Sequence, residues 1–242
     1  MANFVLVHGA WHGGWCWRDV AAALRASGHA VFTPTHSGVG ERAHQSSEAV
    51  TLLTHVRDVA GCIEMEELDE VVLVGHSYGG MVITQLADLV PERVRALVYL
   101  DAFVPGHGDS VISLLNEALA PEVAAEFVGG FRGSARENGS GMMQPIPAEV
   151  FGIAERNRPW VDRRCVPQAL ATFESPALLT GAGDAIGTRV YVLADGWDPS
   201  PFRHFAARVA DEPGWRVVEM PCGHDVMVDM PEELAAELAT LA

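Results

Sequence analysis

Ser77 is the residue around which chemistry could be organised. It stands in Gly75-His-Ser-Tyr-Gly79, behind the aliphatic run Val71 to Val74 and ahead of helical spacing over 79–90, which Pro91 ends. Strand, tight turn and helix, with the serine in the turn, form the setting of a nucleophile elbow. The reason is steric. A sharp, strained turn brings strand and helix close, and Gly75 and Gly79 lack the Cβ atoms that would collide. The turn would lift the Ser77 hydroxyl out of the sheet and aim the Tyr78 N–H, at the helix N-terminus, into the same space. A bare Gly-x-Ser-x-Gly also occurs in structural turns, so the flanking apolar runs carry the reading.

A serine hydroxyl holds its proton at neutral pH and needs a base within reach. Parallel α/β sheets collect their sites at the carboxyl ends of the strands, and with an elbow the chain order is serine, acid, histidine. Of the ten histidines, His224, in Pro-Cys-Gly-His-Asp after the last strand, alone meets both conditions. His12, His36, His44, His107 and His204 read as loop or helix-surface residues, and His8 and His12 stand in a Gly-rich turn rather than on a metal-binding helix. The acid must orient the imidazole and stabilise its charge. Asp198, in Gly196-Trp-Asp-Pro between the penultimate strand and the next helix, is the preferred candidate, with Asp195 and Asp101 as alternatives. A second oxyanion donor belongs to the turn after the first strand. There Gly9 admits the backbone and leaves the Ala10 N–H to pair with that of Tyr78.

Strands are expected at 4–7, 29–33, 71–74, 95–100, 189–194 and 215–219, with helices at 17–27, 47–67 (capped by Ser46 or Ser47), 79–90, 201–210 and from Pro231 onward. Such alternation predicts an α/β fold: a doubly wound, mostly parallel sheet of about six strands. Between strands, residues 104–187 are far longer than a crossover requires. They read as an inserted helical cap, with helices at 110–119, 121–128, 147–157 and 159–173 and a polar Gly/Ser loop at 129–141, leaving 1–103 and 188–242 as the core. Trp11 and Phe103 near the oxyanion turn, with Met142, Met143 and Trp160 from the cap, are the candidates for an apolar substrate pocket.

The 242 residues are 49% hydrophobic and carry a formal charge of −16. That field disfavours nucleic acid and anionic membranes as partners. Cys16, Cys62, Cys165 and Cys222 lack metal-ligand spacing and read as reduced core residues. With no signal peptide at the start of the sequence and no apolar run long enough for a bilayer, the expectation is a cytoplasmic protein.

Several segments together, His8-Gly-Ala-Trp-His-Gly-Gly-Trp-Cys-Trp17, Gly40-Glu-Arg-Ala-His44, Gly75-His-Ser-Tyr-Gly79, Tyr99-Leu-Asp-Ala-Phe-Val-Pro105 and Gly223-His-Asp225, resemble one family. It is the α/β-hydrolase family of plant methyl esterases (the salicylic-acid-binding esterase type) and hydroxynitrile lyases, with its bacterial relatives. The resemblance covers nearly the whole chain, more weakly in the cap. It implies a Ser-Asp-His triad, matched by Ser77, Asp198 and His224, and an oxyanion pair matched by Ala10 and Tyr78. The acid loop departs from the plant pattern by about one residue, which keeps Asp195 open. Lyases of this type carry lysine after the catalytic histidine and threonine or asparagine in the oxyanion turn, where this chain has Asp225 and Gly9. An aspartate cannot stabilise departing cyanide, so a lyase is disfavoured. The expectation is a serine hydrolase that cleaves a small, largely apolar carboxylic ester through an acyl-enzyme, without cofactor or metal. A non-hydrolytic ligand sensor, a lactone, thioester or cyclisation step, and a homodimer are left open.

Overall fold

Runs such as Val71–Val74, apolar at every position, are stable only as strands covered on both faces. They build the centre of the sheet in a computed structural model describing residues 1–137 and 139–242. The strands are β1 (Asn3–Val7), β2 (Ala30–Phe32), β3 (Val71–His76), β4 (Val94–Leu100), β5 (Met142–Met143), β6 (Gln168–Ala169), β7 (Arg189–Ala194) and β8 (Trp215–Met220). Six of them form one parallel sheet in the order β2-β1-β3-β4-β7-β8, while β5 and β6 make a separate antiparallel pair. Helices α1 (Arg18–Ala26), α2 (Leu52–Met65), α3 (Gly79–Leu89), α8 (Phe202–Val209) and α10 (Pro231–Ala239) flank the sheet, and the four-residue α9 (Val226–Asp229) follows the His224 loop. The expected strands and flanking helices are all present. The cap of α2 is Thr51, in a reciprocal box with Thr54, rather than Ser46 or Ser47.

The segment between β4 and β7 contains α4 (Val111–Ala118), α5 (Pro121–Glu137), α6 (Arg158–Asp162) and α7 (Ala171–Glu174). The loop expected over 129–141 is helical as far as Glu137, and position 138 lies outside the described residues. Ala124, Val128, Phe131 and Ala135 make one buried stripe at helical spacing. Gly129, Gly130 and Gly133 take outer positions, where a Cβ would meet nothing within 4 Å. The opposite departure occurs at 147–157, which is a series of turns broken at Gly152 with φ of 66°. Over 159–173, Pro167 and the β5–β6 pairing divide the expected helix in two. No helix among the described residues is long and apolar enough to cross a membrane.

Beneath the carboxyl ends of the strands lies a layer of buried histidines, including His12 and His36, which stand in loops, one of the two settings expected for them, but are buried there. For His8, His55 and His76 a carbonyl partner fixes one ring nitrogen as a donor, because a carbonyl can only accept. His8 Nδ1–H donates to the Gly9 carbonyl at 2.8 Å, leaving Nε2 to accept the His36 N–H. His55 Nε2–H donates to the Ser37 carbonyl at 3.0 Å, and its Nδ1 faces the Tyr78 hydroxyl. His76 Nε2–H donates to the His224 carbonyl at 3.0 Å. Burial pushes His8 down to about 3 and His55 to about 4, and takes His36 and His76 well below the usual imidazole range.

These rings remain neutral in the folded protein at pH values where the unfolded chain protonates them. Their stabilisation is complete above the unfolded value of about 6.5 and is lost progressively as pH falls toward the native values. Each such histidine contributes a slope of up to about 1.4 kcal/mol per pH unit in that window. The thermal midpoint should therefore drop steeply between pH 6.5 and pH 4. Differential scanning calorimetry across that range checks this, and a flat midpoint would contradict the neutral-histidine layer.

Candidate active site

The parallel register brings the first two functional groups together. His76, the last residue of β3, pairs with Leu100, the last of β4, so Ser77 and Asp101 leave neighbouring strands side by side. Ser77 N–H donates to the Leu100 carbonyl at 3.2 Å, and Asp101 N–H to that of Val192 at 2.7 Å. Both residues have left-handed backbones, with φ of 55° at Ser77 and 42° at Asp101. In a non-glycine residue such a conformation persists only when surrounding structure dictates it. The elbow is close-packed: a Cβ on Gly75 would lie 2.6 Å from the Gly79 carbonyl oxygen, and one on Gly79 would lie 2.8 Å from that of Val7.

His224 arrives on the loop after β8, where its N–H donates to the Phe151 carbonyl at 2.9 Å. Its Nδ1–H donates to Asp101 Oδ2 at 2.7 Å, which leaves Nε2 as its remaining ring nitrogen. The ring stacks on Phe202, with centroids 4.9 Å apart and planes 4° from parallel, and also touches Phe151 and Trp197. Ser77 and His224 line the same cavity.

The preferred acid, Asp198, is not the one that meets the histidine. Its side chain is 79% exposed and lies 3.5 Å from Arg203, which also pairs with Asp195. The intervening Trp197 explains why. Its indole turns inward and donates Nε1–H to Asp101 Oδ2 at 3.0 Å, so its neighbour Asp198 faces outward. Asp101 is fully buried and accepts a further bond from the Ala194 N–H at 3.1 Å. Burial pushes its carboxyl well above the ordinary range, against the lowering effect of the Trp197 and Ala194 donors. Burial also takes His224 down to about 4, so the imidazole is unprotonated at neutral pH.

Across the cavity, the turn after β1 carries Ala10 and Trp11. Gly9 admits this backbone, since a Cβ there would lie 2.8 Å from His76 Nδ1 and 3.0 Å from Ser77 Cβ. Trp11, with φ of 63°, is held by segments from the insertion: its N–H donates to Gln168 Oε1 at 2.9 Å and its indole N–H to the Met143 carbonyl at 3.3 Å. Among the described residues, the backbone N–H groups of Ala10 and Tyr78 have no hydrogen-bond acceptor.

Of the expected pocket residues, Trp11 and Phe103 line the cavity, whereas Met142, Met143 and Trp160 do not. Met142 packs with Val50 and Ala169, Met143 lies in the main core, and Trp160 stands edge-on to Trp15 behind the oxyanion turn. Phe131, Phe151, Phe173, Trp197 and Phe202 take their place. The cavity has free space of about 50 Å³. His76, His224 and Asp225 bring possible metal donors within 4.8 Å of one another. Hydrogen bonds occupy His224 Nδ1 and His76 Nε2 of this set.

Residues 4–237 match the Alpha/beta hydrolase family. The chain is 68% identical over 241 residues to the carbendazim hydrolyzing esterase of Nocardioides sp. (strain SG-4G), covering 100% of both chains. It is 27% identical to methylesterase 10 of Arabidopsis thaliana, over 99% of this chain and 91% of that one. An extracellular alpha/beta-hydrolase from a Paenibacillus species has the same fold, with a TM-score of 0.82 at 22% identity and coverage of 99% and 98%. Fold, site geometry and these likenesses converge: the chain belongs to the alpha/beta hydrolase family and is a carboxylic ester hydrolase within it.

Proposed function

We propose that Ser77, His224 and Asp101 are the catalytic triad, that the Ala10 and Tyr78 N–H groups form the oxyanion hole, and that residues 104–187 act as a cap. The substrate we assign is a small ester on a flat aromatic body, with the methyl carbamate of a benzimidazole, as in carbendazim, as the leading candidate. The observation that carries the triad is the 2.7 Å bond between His224 Nδ1 and Asp101 at the wall of the cavity that holds Ser77.

In this reading His224 Nε2 takes the Ser77 proton as Oγ attacks the ester carbonyl. The two N–H groups stabilise the oxyanion, worth on the order of 3 kcal/mol per donor in comparable sites. Asp101 stabilises the imidazolium, which then protonates the departing alcohol. A water activated by the same histidine clears the acyl-enzyme and restores Ser77. Flat rings fit a cavity walled by Trp11, Phe131, Phe173 and Phe202, which offers stacking and edge contacts but no counter-charge. About 50 Å³ is well below the roughly 300 Å³ and more of ligand pockets, so in this reading an aromatic ester enters as the α5 wall, with Phe127 and Phe131, gives way. The four free thiols support a cytoplasmic setting.

Turnover of carbendazim and of a panel of methyl and aryl esters tests the assignment. Ser77→Ala should lower kcat by about three orders of magnitude or more while the protein stays folded. Asp101→Asn should cost a loss of similar size, and Asp198→Asn should remain within about twofold of wild type. The reverse ranking of the two aspartates would return the acid to Asp198. Initial rates taken on dilution from neutral buffer should hold down to about pH 4, where His224 protonates and can no longer accept the serine proton. An acid limb near the ordinary histidine value would contradict the buried, neutral base.

A further inference from the structure

His12 joins two loops from opposite ends of the chain. Its Nδ1 lies 2.6 Å from the Ala10 carbonyl oxygen and its Nε2 lies 2.9 Å from Asp225 Oδ2. A carbonyl and a carboxylate only accept, so both ring nitrogens donate and the ring is an imidazolium. It lies face to face on Trp15, with centroids 5.1 Å apart and planes 21° from parallel, a geometry that favours a cation. Burial opposes the charge, but the Cys165 sulfur 3.9 Å away and the Asp225 carboxylate hold His12 well above the usual imidazole range. Asp225 is completely buried; burial alone would raise it, and His12 keeps it well below the carboxylate range.

Each end of this bridge lands on a working part. Ala10 carries one of the N–H groups assigned to the oxyanion, and Asp225 directly follows His224. His76 adds a strut by donating to the His224 carbonyl, with its Nε2 3.7 Å from Asp225 Oδ1. The buried oxygen Asp225 Oδ1 has no hydrogen-bond partner, so the carboxylate is not held in place by ordinary satisfaction of both its oxygens. A buried, incompletely satisfied ion pair is a poor device for stability alone, because packed apolar residues serve at least as well. Its use here is geometric.

We propose that His12 and Asp225 are positioning residues, a buried imidazolium–carboxylate bridge that fixes the oxyanion turn against the loop carrying the base. Without it, the Ala10 N–H and His224 Nε2 no longer keep a set spacing around the reacting carbonyl. The proposal rests on the reading of Ala10, Ser77 and His224 as catalytic groups. The bridge also acts on the base through its charges, which oppose each other at His224: Asp225 favours the protonated ring and His12 disfavours it. The titratable groups facing the pair are Cys165, Cys16, His8, His76 and His224.

The test compares His12→Gln, Asp225→Asn and the charge-free double variant His12→Phe/Asp225→Leu in the full chain, each corrected for its folded fraction. Both single variants should lose about 10- to 100-fold in kcat with KM within about threefold, the signature of misplaced rather than missing groups. The acid limb of kcat/KM should move up in His12→Gln, where Asp225 is left facing the base, and down in Asp225→Asn. The double variant should recover thermal stability but not kcat. Should a single variant fail to fold, the double variant decides alone. Recovery of kcat in the double variant, or single variants that lose stability while kcat and the pH profile stay put, would reduce the bridge to a structural ion pair. Ser77→Ala run in parallel separates the two levels: if it turns over at the wild-type rate, the site reading fails and the bridge with it.

Discussion

The register between β3 and β4 is the constraint on which the site depends. With His76 opposite Leu100, the two strands end level, and Ser77 and Asp101 are released at the same height on adjacent strands. The register shifts once, between Val71 and Val72, and from Val72 to His76 it runs without a break to the ends of both strands. Ser77 and Asp101 then turn into left-handed backbone, a strain that the surrounding close packing sustains. Asp101 thus directly follows a strand in the middle of the sheet. The loop after β7 still contributes, but through Trp197, which donates to the acid instead of supplying it.

Protonation in this region follows from acceptor geometry. His8, His55 and His76 each have one carbonyl to satisfy and stay neutral, while His12 faces two acceptors and is charged. One cation, matched by the buried Asp225 carboxylate, therefore lies within a layer of neutral rings under the elbow. A second cation at position 225 would have faced His12 with like charge, so the aspartate after the base is the residue type this layer accepts. The departure from the lyase pattern at that position has a structural counterpart as well as a chemical one.

Much of this was legible in the sequence. All-apolar runs and their alternation with helical spacing specified six parallel strands, and the glycines around Ser77 specified the elbow, because both signals are local and steric. His224 was singled out by chain order together with its place in a strand-end loop. Asp101 was named only as an alternative, since its closeness to Ser77 and His224 comes from β3 and β4 being neighbours that end level, a property of pairing rather than of either segment. The turn carrying Ala10 lies beside Ser77 as expected, whereas only Trp11 and Phe103 of the expected lining residues reach the cavity. Trp11 and Phe103 follow from their closeness to strand ends, whereas Phe131 comes from a helix hidden behind three glycines that read as loop. Met142 and Met143 instead form a short strand whose carbonyl, rather than its side chains, serves the site.

The segment between β4 and β7 also reaches the turn after β1. Gln168, Val166 and Met143 each bond the Trp11 backbone or indole, so the turn that presents the Ala10 N–H is shaped partly by residues more than a hundred positions away. The same insertion supplies Phe131, Phe151 and Phe173 to the cavity wall and the carbonyl that holds the His224 N–H. One segment thereby bonds both the turn that carries Ala10 and the loop that carries His224. Rigid strands fix Ser77 and Asp101, and the insertion orients the groups that face them. The cavity around Ser77 and His224 is therefore walled jointly by the sheet's loops and by the segment between β4 and β7.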